Sequence, residues 1–150
     1  MELDIETRDD VRILWWRDDE NRFRPASLDA WDRALASLQR VDGPLALVVA
    51  NEGKYWSNGL DLDWMGAHPE QAGKVVERVH LLLGRVLTFP AYVVGAVTGH
   101  AFAAGAMLAC ACDAVVMRAD RGWWCLPEAD LGLPLTNGMY AAVATRLPRR

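Results

Sequence analysis

Gly99-His100-Ala101-Phe102-Ala103-Ala104-Gly105-Ala106-Met107-Leu108-Ala109 follows the apolar run Tyr92-Val93-Val94-Gly95-Ala96-Val97. Together they read as a strand that turns into a buried helix. Small residues at such a junction let another backbone or a ligand come close. They also leave the first N–H groups of the helix unobstructed. Those groups have no intrahelical partner and sit at the positive end of the helix dipole, a place able to hold an oxyanion. Composition alone favours a helix packed tightly on a sheet, so the residues on either side have to decide.

Upstream, Leu3-Asp4-Ile5 and Val11–Trp16 are β-rich and separated by Arg8-Asp9-Asp10, which predicts a hairpin. Ser27 is read as a helix N-cap, with Leu28, Trp31, Leu35, Leu38 and Val41 following at helical spacing and Gly43-Pro44 as the stop. Leu45–Ala50 is wholly apolar, as in a strand covered on both faces. Asn51–Gly59 reads as a loop and Leu60–Met65 as one short helical turn. Glu70–Leu87 is an amphipathic helix ended by Pro90. Downstream, Asp113–Met117 reads as a strand, Trp123–Leu133 as irregular or partly extended, and Asn137–Leu147 as a last helix stopped by Pro148. Strands alternating with helices mean an α/β domain, expected as one unit over residues 1–150.

The bulk numbers exclude several classes. The 150 residues are 52% hydrophobic and 24% charged, ordinary for a globular domain. Net charge is −4, with no basic run, so no nucleic-acid partner is expected. Cys110 and Cys112 straddle one residue rather than two, and Cys125 stands apart, so the three read as reduced core thiols and no metal site is expected. No apolar run approaches the ~20 residues of a membrane span, and no membrane association is expected. A cytoplasmic location is the expectation, since Pro148-Arg149-Arg150 differs from a Ser-Lys-Leu-like import signal. The chain stops directly after a helix, which leaves open a missing C-terminal part.

Three segments carry the chemistry. They are Gly53-Lys54-Tyr55-Trp56-Ser57-Asn58-Gly59-Leu60-Asp61-Leu62, the small-residue stretch ending in Cys112-Asp113, and Trp123-Trp124-Cys125-Leu126-Pro127-Glu128-Ala129-Asp130-Leu131-Gly132. In this order they resemble the crotonase (enoyl-CoA hydratase/isomerase) superfamily over about Leu3 to Leu147. The first matches the family's aromatic–Ser/Cys–x–Gly–x–Asp–Leu pattern. The second matches its Gly-x-Ala-x-Gly-Gly-Gly stretch, with Ala103 and Ala104 where glycines are usual. Details such as Gly99-His100-Ala101, Met107, Met117-Arg118-x-Asp120-Arg121-Gly122 and Glu128-x-Asp130-x-Gly132 are most similar to the short Δ3,Δ2-enoyl-CoA isomerases of plants.

The resemblance implies the crotonase-like ββα superhelix (the ClpP/crotonase fold), here without some C-terminal helices. It implies an acyl-CoA thioester substrate whose carbonyl sits between the backbone N–H groups of Leu60 and Ala104. These would hold the enolate formed when an α-proton leaves. Hydratases of the family generally use a glutamate at each of two positions. The first falls here on Met107, which moves no protons, and the second on Glu128. One carboxylate suffices to take a proton from C2 of a 3-enoyl chain and return it at C4, and is awkward for adding water. Walling by Trp123, Trp124, Cys125, Leu126 and Pro127 would desolvate Glu128 and bring its proton-transfer strength toward working pH. The implied activity is an enoyl-CoA delta isomerase of fatty-acid β-oxidation type. Other crotonase chemistry (hydration, thioester hydrolysis, decarboxylation) and a non-catalytic acyl-CoA-binding homologue stay open.

The remaining candidates follow from the same match. Ser57, Asn58, Gly59, Asp61 and Leu62 lie in the substrate loop, where Asp61 is read as the cap of the short helical turn. Ala103 flanks the oxyanion position. Trp56, Phe102 and Trp124 are candidates to line an acyl tunnel, with ordinary core as the equal alternative. Arg22 and Arg24 sit where family members approach the CoA phosphates, which guanidinium groups suit, although a solvated loop charge is the better single reading of each. Asp130 is a second-choice acid, and His100 is read as a packed histidine. No cofactor is expected, since coenzyme A enters with the substrate. The family implies a homotrimer or a dimer of trimers.

Overall fold

The computed structural model describes residues 3–128, 130, 132 and 134–147. A hairpin of β1 (Asp4–Arg8) and β2 (Val11–Trp16) opens the chain, antiparallel with Asp4 opposite Trp15. Helix α1 (Pro25–Leu38) leads to β3 (Ala46–Asn51), which lies parallel to β2. After β4 (Tyr55–Ser57) come α2 (Leu62–Ala67), α3 (Pro69–Leu87) and β5 (Tyr92–Val97). The chain continues through β6 (His100–Phe102), α4 (Ala104–Ala111), β7 (Ala114–Met117), β8 (Trp124–Cys125) and α5 (Asn137–Ala144). Two sheets result: a five-stranded one in the order β1-β2-β3-β5-β7, and a three-stranded parallel one in the order β4-β6-β8.

The chain alternates between the two sheets. Each of β3, β5 and β7 in the large sheet is followed by a strand of the small one: β4, β6 and β8 in turn. Parallel strands need crossovers, and α1 and α3 supply them by burying one apolar stripe each. In α3 that stripe is Val75, Val79, Leu82, Leu83 and Val86. Trp16 anchors the core beneath α1, with its ring 4.9 Å from Phe23 and 5.5 Å from Trp31. Helix α4 is different: all eight residues are buried. A helix apolar all round belongs in the middle of a fold. It contacts α3 and α5 as well as β4 and β6 of the small sheet.

The expected strands at β1, β2, β3, β5 and β7 are present to within a few residues. Three details differ. Ser27 is not the N-cap: α1 begins at Pro25 with Arg24 as cap, and the Ser27 hydroxyl accepts the Arg24 N–H at 2.9 Å from inside the first turn. Proline at the first helical position, with its φ already helical, moves the start forward. Helix α1 stops at Leu38 rather than Val41, and α5 stops at Ala144 rather than Leu147. The small sheet was not foreseen as a sheet, because strands of two or three residues carry no readable period.

Candidate active site

The small sheet sets the geometry. Its strands are parallel, so the continuations of β4, β6 and β8 all leave from one end. Those continuations are Asn58–Asp61, Ala103–Ala104 and Leu126–Glu128. The first two meet at Ala103, beside the end of β8. The Ala103 N–H donates to the Cys125 carbonyl at 3.0 Å. A Cβ built on Gly59 would lie 2.9 Å from the Ala103 Cβ and 3.3 Å from the Ala104 nitrogen. Glycine at 59, with φ +77°, is what allows the loop to press this close.

Two backbone N–H groups at this meeting point, those of Leu60 and Ala104, have no acceptor among the described residues. Phe23 and Leu60 form an isolated parallel bridge: the Phe23 N–H donates to the Gly59 carbonyl (2.7 Å) and the Asp61 N–H to the Phe23 carbonyl (3.0 Å). In a parallel ladder the bridged residue's own N–H points away from that partner. The Asn58 N–H goes to the Glu20 carbonyl at 2.9 Å and the Gly59 N–H to the Ser57 hydroxyl at 3.2 Å. Leu60 therefore turns its amide away from Phe23. Ala104 is the first residue of α4, where no i−4 carbonyl is available to it. The turn into α4 is made by Ala103 alone, at φ 51° and ψ −123°, a region that side-chain-bearing residues avoid. Strain of about 1–3 kcal/mol at such a residue is typical of functional junctions.

The early loop, residues 18–24, of which the sequence singled out Arg22 and Arg24, holds the substrate loop in place. Asn21 is fully buried with φ 52°. Its amide donates to the carbonyls of Trp16 (2.9 Å) and Trp56 (3.2 Å), while its Oδ1 accepts the Asp18 N–H at 2.8 Å. The Ser57 hydroxyl donates to the Asn21 carbonyl at 2.8 Å. The signal for this role was present in Asp18-Asp19-Glu20-Asn21, since asparagine tolerates a left-handed turn and bonds backbone locally. Asn58 donates its side-chain amide to Glu20 at 2.7 Å. That bond, then the Arg22 guanidinium, holds the Glu20 carboxyl below its ordinary range.

Asp61 accepts the Trp64 N–H at 3.0 Å and so caps α2, as its sequence position suggests. Leu62 begins α2 and is exposed. Ser57 is buried against α4: a Cβ on Gly105 would meet the Ser57 carbonyl at 2.5 Å, so only glycine fits there. Trp56 belongs to the core, 1% exposed, with its indole N–H on the Val49 carbonyl. Phe102 stacks on His100 (5.1 Å) and meets Tyr55 edge-on (6.2 Å). His100 is packed in that aromatic group, and its Nδ1 accepts the Trp123 N–H at 3.2 Å. Trp124 donates to the Ala106 carbonyl at 3.1 Å and lines an apolar cleft of about 270 Å³ with Cys110, Cys112 and Leu147.

Arg22 and Arg24 face a cleft rich in carboxylates. Arg22 pairs with Glu20 (2.6 Å) and Asp63 (2.9 Å), and Arg24 with Asp18 (2.7 Å) and Asp61 (3.4 Å). An incoming phosphate would have to displace a carboxylate from either guanidinium. All three cysteines are free, and burial pushes the Cys112 thiol up to about 12.

Glu128 is half-buried, three residues beyond the Cys125 carbonyl that binds Ala103. Three residues reach at most about 11 Å. One of its carboxylate oxygens, Oε2, is buried without a hydrogen-bond partner among the described residues. Trp123 does not wall it as expected, being 69% exposed. Asp130 is exposed, and its neighbours Ala129 and Leu131 lie outside the described residues. Met107 is fully buried one turn into α4. Among the described residues no group of three His, Cys, Asp or Glu side chains is placed to hold a metal, and no helix is long and apolar enough to cross a membrane.

Comparison with known proteins places this arrangement. The family model described as enoyl-CoA hydratase/isomerase matches residues 16–150. Enoyl-CoA delta isomerase 3 of Arabidopsis thaliana is 33% identical over 154 residues, covering 95% of this chain and 63% of that protein. The peroxisomal enoyl-CoA delta isomerase 1 of the same plant is 35% identical over 147 residues, covering 95% of this chain and 61% of that protein. The chain thus spans about three fifths of the length of these relatives. A crystal structure of an enoyl-CoA hydratase/isomerase family protein from Silicibacter pomeroyi superposes with a TM-score of 0.85 at 24% identity, covering 98% of this chain and 62% of that one.

Proposed function

This chain belongs to the enoyl-CoA hydratase/isomerase family, with its crotonase fold, and on that premise we propose that it shifts the double bond of a 3-enoyl-CoA to the 2-position. The observation that carries the reading is the buried carboxylate oxygen of Glu128, without a partner among the described residues, beyond the end of the small sheet from which Leu60 and Ala104 also lead. In this reading the thioester oxygen lies between those two amides. The Glu128 carboxylate removes a proton from C2, and the electron pair delocalises onto the thioester oxygen. Each aimed donor in such a site is worth about 3–4 kcal/mol to the transition state. The protonated Glu128 then returns the proton at C4 as the double bond moves between C2 and C3, and no water is consumed. A hydratase's second carboxylate has no counterpart here, because Met107 fills that position in the core. The isomerase names of the two plant relatives support the same choice. Coenzyme A enters with the substrate. A cytoplasmic location and trimeric assembly of the family kind belong to the same proposal.

The test is to follow the ultraviolet absorbance of conjugated 2-enoyl thioester after adding a 3-enoyl-CoA, with Glu128→Gln alongside. The parent should form product, and the variant should lose about 10²–10⁴-fold in rate while binding acyl-CoA as before. Equal rates in parent and variant would remove Glu128 from the reaction. Acyl-CoA binding without turnover in the parent would favour the non-catalytic homologue.

A further inference from the structure

The small sheet has a second end. Because its strands are parallel, the residues that precede them gather there, away from Leu60 and Ala104. They line a cleft of about 550 Å³ that also receives the turn after β7. Its polar side chains include Lys54, His100, Arg118 and Arg121. In a chain of net charge −4 this is a local concentration of positive charge. The size falls within the range of small-molecule sites.

The groups in the cleft are pre-positioned. Arg118 is held by Asp120 at 2.6 Å through both Nε and Nη2, while its Nη1 donates to the Thr98 carbonyl at 3.2 Å. Its own charge is thus largely matched. Lys54 sits 5.0 Å over the Tyr55 ring, and neither it nor Arg121 makes an ion pair among the described residues. The carboxylate whose charge reaches Lys54, Glu20, is itself bonded to Asn58 and paired with Arg22, and Glu52 is held by Arg17 at 3.0 Å. Because His100 Nδ1 accepts the Trp123 N–H, its Nε2 carries the ring proton and is a donor. The wall between them is backbone. Gly99 packs on the Lys54 carbonyl so closely that a Cβ would overlap it, and Gly122, at φ +128°, abuts Gly99.

We propose that this cleft binds a small phosphorylated molecule, with Lys54 and Arg121 as its charge partners, separately from the acyl-CoA site. A tetrahedral oxyanion accepts from several directions at once, which suits an ammonium, a guanidinium and an imidazole N–H around one concavity. The Met117-Arg118-x-Asp120-Arg121-Gly122 turn, part of the isomerase resemblance but given no role in the proton shuttle, supplies two of the lining cations.

The test is a titration of isotopically labelled protein with pyrophosphate at constant ionic strength, read by amide chemical shifts with no acyl-CoA present. Saturable shifts confined to residues 53–54, 99–100 and 118–122 are expected. The Lys54→Ala/Arg121→Ala double variant should bind at least about tenfold more weakly with the rest of its spectrum unchanged. Citrate should bind at least about tenfold more weakly than pyrophosphate. Shifts that never saturate, or that spread over surface arginines such as Arg8 and Arg40, would overturn the proposal. So would unchanged affinity in the double variant, equal affinity for citrate, or displacement of pyrophosphate by acyl-CoA. The readout involves no turnover, so the isomerase reading and this one fail independently.

Discussion

β4 and β8 are the two edges of the same three-stranded sheet, and their continuations are held in opposite ways. Beyond β4, the backbone N–H groups of Asn58, Gly59 and Asp61 are all taken, and the side chains of Ser57, Asn58 and Asp61 are bonded to the early loop or to α2. Beyond β8, the last backbone tie among the described residues of this segment is at Cys125, and three residues later Glu128 holds a buried oxygen without a hydrogen-bond partner among the described residues. A group meant to stabilise charge by position gains from rigidity, because it then has nothing to reorganise. A group meant to exchange a proton with substrate cannot be committed to a structural bond. The difference between the two edges is the difference between those tasks.

The comparison breaks most visibly at Asn21. Asn21→Ala would leave the Trp16 and Trp56 carbonyls and the Asp18 N–H without their partner and put alanine at φ 52°. Stranded buried polar groups cost about 1–3 kcal/mol each, so chemical denaturation should show a loss of about 3 kcal/mol or more. Glu128→Gln in the same experiment should stay within about 0.5 kcal/mol of the parent. A large loss from Glu128→Gln, or almost none from Asn21→Ala, would reverse the assignment of which edge is structural.

A smaller effect of opposite sign belongs to the strand between them. Ala103 sits at φ 51° and ψ −123°, where glycine is at ease and alanine is not. Ala103→Gly relieves strain but frees the unfolded chain, which takes back part of the gain. The net expectation is about 1 kcal/mol of added stability, a rise of about 2–4 °C in Tm by calorimetry. A lower Tm would mean that the Ala103 Cβ, packed over Gly59, matters more than the backbone strain.

The large sheet was legible because β2, β3 and β5 are each six residues long and largely apolar, and α3 shows its stripe over nineteen residues. The site was legible through Gly59, Gly105 and the small residues of α4, whose absent side chains record the close approach of two backbones. The residues that brace it were harder to see. Asn21 looks like any loop asparagine until the fold brings Trp56 to it from 35 positions away. The carboxylates around Arg22 and Arg24 are likewise scattered from Asp18 to Asp63, so two candidate phosphate ligands turned out to be ion-paired. Short strands are invisible for a related reason: β8 has two residues, and its pairing with β6 is decided by tertiary contact.

The smallest effect reads how firmly the braced edge depends on charge. Glu20 accepts the Asn58 side-chain amide and pairs with Arg22, so its carboxyl lies below its ordinary 4.5 in the folded protein. A group whose folded value is depressed contributes stability that is complete above its unfolded value and is lost as pH falls through the folded one. Glutamine at 20 keeps an oxygen for Asn58 but gives Arg22 no charge. The difference in Tm between the parent and Glu20→Gln should therefore be constant above about pH 5 and shrink steadily below about pH 4. The whole effect should stay under about 1 kcal/mol, because the Arg22–Glu20 pair is reached by solvent. A difference that grows on acidification would mean that Glu20 is held by something other than its charge. A loss of oxyanion-loop amide protection in the variant at neutral pH, with Tm unchanged, would show that the carboxylate braces the loop locally rather than the fold.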